Sequence, residues 1–159
     1  MTDTDTVVRR TVVVDAPVAD AFATFTERFG DFKPREHNLL QAPITQTVFE
    51  PRVGGHIYDR AEDGSECRWA RVLVWEPPHR VVFSWDISPS WEIVTDPAQA
   101  SEVEVTFAAE GTDRTRVELE HRHLHRHGPE WPAVRDGVGH DQGWPLYLQR
   151  YADLLGVRS

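Results

Sequence analysis

Apolar and polar positions alternate along most of this chain, and helical spacing takes over only near its two ends. Residues 1–6 are polar and expected to fray. "VVRRTVVV" then predicts a strand, rich in β-branched residues and ended by "DAP". In "PVADAFATFTERFG", Val18, Ala21, Phe22, Phe25 and Phe29 recur at helical steps and give one apolar stripe. Pro17 suits the first turn of that helix, Asp20 the positive end of its dipole, and Gly30 is expected to stop it. "DFKPREHNLLQAP" is irregular, broken by Pro34 and Pro43. Strands then follow in quick succession: "ITQTVFEP", "HIYDR" after the Gly54-Gly55 turn, "ECRWARVLVWE" after "EDG", and "HRVVFSWDI" after the Pro77-Pro78 break. Within the last, Val81, Phe83, Trp85 and Ile87 share one face.

A connection punctuated by proline, "SPSWEIVTDPAQA", leads to "SEVEVTFAA", where Val103, Val105 and Phe107 point inward and Glu102, Glu104 and Thr106 outward. After the turn "EGTDR", Val117 and Leu119 are inward again, and the same parity extends to His121 and His123. "PEWPAVRDGV" is a short helical candidate weakened by Pro132 and Gly137. "GWPLYLQRYADLLG" is stronger, with Trp144, Tyr147, Leu148, Tyr151 and Leu155 at steps of three and four. The order is strand, helix, a run of about six strands and a final helix. It predicts an α+β domain spanning 1–159, with a core at about 7–155. A curved antiparallel sheet of about seven strands would wrap around the C-terminal helix and leave a hollow between them.

Composition narrows the function. The chain has 159 residues, 40% hydrophobic and 27% charged, which fits one domain with its own core. A net charge of −9 opposes nucleic acid and anionic membranes as partners. No apolar run is long enough to span a bilayer, and "MTDTDTVVRR" lacks the apolar core of a signal peptide. A single cysteine, Cys67, rules out an internal disulfide framework and fits a reducing cytoplasm.

"VDAPVADAFATFT", "RVLVWEPPHRVVFSW" and the "GW" opening the last helix together resemble the START-like helix-grip domains, the polyketide cyclase/dehydrase and lipid-transport superfamily. Within it the chain is most similar to the group related to the activator of the heat-shock-protein-90 ATPase. The resemblance runs from about Val7 to Leu155. It implies a hydrophobic small-molecule ligand held between sheet and helix, with polyketide cyclisation in some members. "SEVEVTFAAEGTDRTRVELEHRHLHRHG" followed by "DQGWPLYLQRY" further resembles the self-sacrifice resistance proteins directed at enediyne antibiotics. That narrower resemblance implies hydrogen abstraction from a glycine, here Gly111, and oxidative cutting of the chain. One departure is Phe32-Lys33, where many relatives carry tryptophan.

The residues themselves offer four candidate sites. His121, His123, His125 and His127 alternate in "LEHRHLHRHG", yet extended over roughly 20 Å they offer one metal at most two neighbours. No HExxH or Cys/His spacing adds a third, so no metal is expected, and His121 and His123 remain candidates for hydrogen bonding a ligand. Gly111 lies in the hairpin "EGTD", where tolerance of positive φ alone accounts for a glycine. Its unshielded α-hydrogens also make it a target for a diradical held nearby. Phe83, Trp85, Trp144, Tyr147 and Tyr151 either fill the core or line a pocket, and Trp91 either closes over a ligand or anchors its loop. Glu36, His37, Asn38, His56, Tyr58 and Arg71 are the remaining polar candidates at the entrance. No catalytic triad, phosphate loop or dinucleotide fingerprint is present, and no cofactor is expected.

These readings leave a binding protein, with self-sacrifice at Gly111 as its sharp form, ahead of two others. One is a polyketide cyclase or aromatase using His121 or His123 as acid/base, with Arg71 or Tyr58 polarising a carbonyl. The other is an interaction domain of the co-chaperone kind, which would expose a large apolar patch.

Overall fold

The structure is a computed structural model that describes residues 7–33, 43–88, 92–94, 96–140 and 143–155. Seven strands make one sheet: β1 (Val8–Val14), β2 (Ile44–Phe49), β3 (His56–Ala61), β4 (Glu66–Glu76), β5 (Arg80–Trp85), β6 (Ser101–Gly111) and β7 (Arg114–Arg122). Their order is β1-β7-β6-β5-β4-β3-β2, antiparallel throughout. Strands β2 to β7 are joined to their sequence neighbours, whereas β1 lies at the opposite edge beside β7. The chain therefore crosses the sheet once, between β1 and β2, and the first helices make that crossing. Register shifts at Ile44/Gln46, Ile57/Tyr58, Val72/Val74 and Ala109/Gly111 bend the strands and give the sheet its curl. This is the expected α+β helix-grip architecture.

Four helices accompany the sheet: α1 (Val18–Glu27), α2 (Phe29–Phe32), α3 (Trp131–Gly139) and α4 (Trp144–Leu154). Ala21, Phe22, Phe25 and Phe29 of the predicted stripe are buried. Gly30 does not stop the helix, contrary to expectation. The break falls at Arg28, and Gly30 lies inside α2, where a Cβ would sit 3.1 Å from the Thr47 carbonyl oxygen. Its role is close approach of α2 to β2. Pro132 is accommodated because it falls in the first turn of α3.

The core is aromatic. Phe25 meets Phe29, Phe32, Phe107 and Tyr151 at centroid distances between 5.3 and 5.8 Å, edge-on or tilted as ring quadrupoles favour. The Tyr151 hydroxyl donates to the Ala21 carbonyl at 2.7 Å, which ties α4 to α1 and satisfies its polar tip. Val103, Val105, Phe107, Val117 and Leu119 are buried as their alternation predicts. On the other face Arg122 bridges Glu102 and Glu104, Arg80 pairs with Glu104, and Arg9 with Glu120. That ladder is a solvated face. No helix among the described residues is long and apolar enough to cross a membrane.

Candidate ligand site at the Trp85 end of the sheet

Trp85 ends β5 and is paired in register with Ser101, the first residue of β6. One rung further in, Phe83, Val103, His121 and Val8 lie side by side across four strands. The Trp85 ring is half-buried and sits 5.5 Å from Trp69, 5.4 Å from His121 and 5.6 Å from Trp144. Three indoles and an imidazole thus meet beside the start of α4.

A chain of hydrogen bonds threads this wall. Trp144 Nε1–H donates to His121 Nδ1 at 3.0 Å. With its Nδ1 accepting, a neutral His121 carries its proton on Nε2, which donates to Ser101 Oγ at 2.7 Å. The Ser101 hydroxyl then donates to His127 Nε2 at 2.8 Å, leaving the proton of His127 on Nδ1. Burial pushes His121 down to about 3, with the nearby His127 adding to the effect, so the ring is neutral near pH 7. Burial also lowers His127, against the opposing charge of Asp86. The His127 Nδ1–H and the indole N–H of Trp69 are both buried and have no hydrogen-bond partner among the described residues. Unpaired buried donors of this kind each cost about 1–3 kcal/mol.

His123 departs from its expected place. The strand ends at Arg122, His123 turns left-handed at φ 60°, and its side chain leaves the inward row for a position beside His125, 6.1 Å away. Antiparallel pairing would have put His123 opposite Ser101, because Glu102 pairs with Arg122. Instead the 3-10 turn Leu124–His127 folds back and His127 reaches Ser101. Alternation marks Ser101 as inward, in step with Val103, but no strand periodicity predicts His127.

The other candidates separate. Phe83, Trp144, Tyr147 and Tyr151 are almost fully buried in the core, with Trp144 also bonded to His121. Trp91, Glu36, His37 and Asn38 lie outside the described residues. Arg71 makes a two-pronged pair with the buried Asp86 at 2.8 and 3.0 Å. The Arg60 and Arg68 guanidinium groups lie 5.6 and 4.5 Å from the Tyr58 ring, and His56 lies 3.8 Å from Glu50. Among the described residues no three His, Cys, Asp or Glu side chains are grouped to hold a metal.

Gly111 is remote from this wall in the sheet register. It is the last residue of β6, paired with Arg114, and the tight turn is Thr112–Asp113. Its φ is not positive, and a Cβ would meet nothing within 4 Å. The turn therefore does not require glycine there, against the conformational account drawn from the sequence. Gly111 faces an open groove of about 1090 Å³ bounded by Asp15, Asp20, Arg28, Glu110 and Leu155.

Two buried charges were not anticipated. Lys33 Nζ lies 3.3 Å from Asp59, whose other oxygen accepts from Thr47 at 2.7 Å, and the ammonium sits 5.8 Å from the Trp69 ring. The residue that departs from the expected tryptophan thus joins the inner wall as a cation.

A curled antiparallel sheet gripping a C-terminal helix, with an aromatic and imidazole wall inside, defines a START-like domain. The chain belongs to the Activator of Hsp90 ATPase homolog 1-like family, which matches residues 15–156. Among solved structures it is similar to the anthrahydroquino-γ-pyrone synthase Txn09, at 42% identity over 93% of this chain and 96% of that one, with a TM-score of 0.66. It is also similar to the self-sacrificing resistance protein CalC of Micromonospora echinospora, at 31% identity over 98% of this chain and 99% of that one, with a TM-score of 0.70. No curated protein matches the chain.

Proposed function

We propose that this protein takes up a flat, polyketide-derived aromatic molecule against Trp85 and closes a ring on it, as a cyclase. The observation that carries the reading is the half-buried Trp85 ring set among Trp69, Trp144 and His121, with two unpaired hydrogen-bond donors, Trp69 Nε1–H and His127 Nδ1–H, buried in the same region. Stacking on indoles selects a planar ring system, and the donors select one that carries oxygen. The 42% identity to a synthase named for an anthrahydroquino-γ-pyrone supports a fused aromatic, oxygen-bearing molecule as the ligand class. Scattered exposed apolar residues, Val13, Val53, Leu73 and Ile93, favour a small molecule over a protein partner docked on a continuous patch.

The test is a tryptophan-fluorescence titration with a dihydroxyanthraquinone, followed by incubation with an anthrahydroquinone bearing an open 1,3-diketone side chain. Saturable one-to-one quenching is expected, weakened at least tenfold in Trp85→Ala. Ring closure would appear as loss of one water from the substrate over many turnovers, as a phenol oxygen adds to a side-chain carbonyl carbon and the carbonyl's own oxygen leaves as water with the phenol proton and one side-chain hydrogen. Binding without turnover would support sequestration instead, and no saturable binding would end the proposal.

A second reading, self-sacrifice toward an enediyne, is favoured by Gly111 itself, because nothing in its backbone or surroundings demands glycine. Its open groove offers access. Treatment with a thiol-activated enediyne should then yield two fragments with the break at residue 111, and Gly111→Ala should abolish or move it. An uncut chain, or an unchanged cut in the variant, removes this reading.

A further inference from the structure

We infer that His127 is the specificity-determining donor of the site, its Nδ1–H pairing with a carbonyl or quinone oxygen of the aromatic molecule stacked at Trp85. The inference rests on the ligand class proposed above and adds what that molecule must carry at its edge. His127 is 9% exposed, and its Nε2 is already bonded to Ser101. The chain from Trp144 through His121 and Ser101 runs in one direction only. Indole N–H can only donate, which puts the proton of neutral His121 on Nε2 and toward Ser101; the Ser101 hydroxyl proton then has His127 Nε2 as its acceptor among the described residues. The result fixes the tautomer of His127 and presents an N–H, not a lone pair.

That N–H has no acceptor among the described residues. Asp86, the carboxylate close enough to influence His127, is turned onto the Arg71 guanidinium through both of its oxygens. The donor's anchor, Ser101, is the register partner of Trp85, so the His127 ring is held from the same end of the β5–β6 pair that carries the half-buried indole. A buried N–H left unpaired is rare in a native fold and calls for a partner. A ligand that stacks on Trp85 and offers an oxygen acceptor at its rim would satisfy it. His121 and Ser101 act as positioning residues, since they set the tautomer without meeting the ligand.

The experiment compares two probes of nearly equal shape, anthraquinone-2-sulfonate and anthracene-2-sulfonate, by fluorescence titration of the wild type and variants. The wild type should bind the quinone about tenfold more tightly, the worth of one net hydrogen bond in a dry site. His127→Phe should erase that preference while keeping the hydrocarbon's affinity within about twofold, and His127→Gln, which retains a donor, should restore part of it. Nitrogen-15 NMR of the imidazoles should report the Nδ1–H form of His127 in the wild type and a mixture of tautomers in Ser101→Ala. Equal affinities in the wild type, a preference that survives His127→Phe, or an Nε2–H tautomer would each overturn the inference while leaving an aromatic ligand in place. Failure of both probes to bind would overturn the ligand class and the inference together.

Discussion

His121 is the residue whose environment has the clearest consequence in solution. It is fully buried as the neutral base, whereas in the unfolded chain it titrates near 6.5. Between those values the unfolded state binds a proton that the folded state refuses, so stability is greatest above about pH 6.5 and falls as the pH is lowered toward 3. The slope reaches about 1.4 kcal/mol per pH unit for this one group, so the step from pH 7 to pH 5 should cost about 2 kcal/mol. His123 and His127, also lowered by burial, act in the same direction. Urea titrations across this range measure it, and His121→Gln should flatten the dependence by the share of one proton. At this scale the sequence was informative wherever a residue sat on a regular strand. The parity of Val117 and Leu119 carried correctly to His121. It failed at His123, because one left-handed residue ends the alternation and no composition rule marks His123 as that residue.

Elements were legible where their period was long and clean. The stripe through Ala21, Phe22 and Phe25 and the alternation of Ser101 to Phe107 are the sequence patterns of a buried helix face and a half-buried strand, and both formed as such, with Phe29 carried over to the buried side of α2. Junctions were not legible, because close approach between backbones leaves no periodic trace. Gly143 illustrates this. Placed before α4, it reads from sequence as a helix opener, yet a Cβ there would lie 2.3 Å from the Val138 carbonyl oxygen and 2.6 Å from that of Gly137. Gly143→Ala should therefore force α3 and α4 apart and cost about 3 kcal/mol or more. Calorimetry should show a fall in Tm of about 9 °C. Gly137→Ala, where a Cβ meets nothing, is the control and should be neutral or mildly stabilising in its helix.

At the scale of the whole molecule, the helical crossing from β1 to β2 must be held against the sheet, and one of its ties is ionic. Lys33, just after α2, reaches Asp59 on β3, which also binds Thr47 on β2. Removing one partner of a buried pair leaves the other charge stranded in a poorly polarisable interior. Lys33→Met should accordingly lower stability by about 3–5 kcal/mol in chemical denaturation, more than the loss of any single surface pair such as Arg9–Glu120. The global architecture followed from the sequence because a run of hairpin-linked strands with one apolar face admits few solutions. The contents of the interior did not follow. A buried lysine and a serine bridging two imidazoles are choices made by tertiary contact between residues 26 positions apart or so.

The turn at His123 also bears on how such proteins diversify. The side chain that meets Ser101 is set by the count of residues between the end of β7 and α3, not by the pairing of the strands. Adding or deleting one residue in that short hinge would exchange the imidazole for a neighbour's side chain while every strand kept its partner. A lineage could change what it recognises by a single in-frame slip, with the scaffold inherited intact.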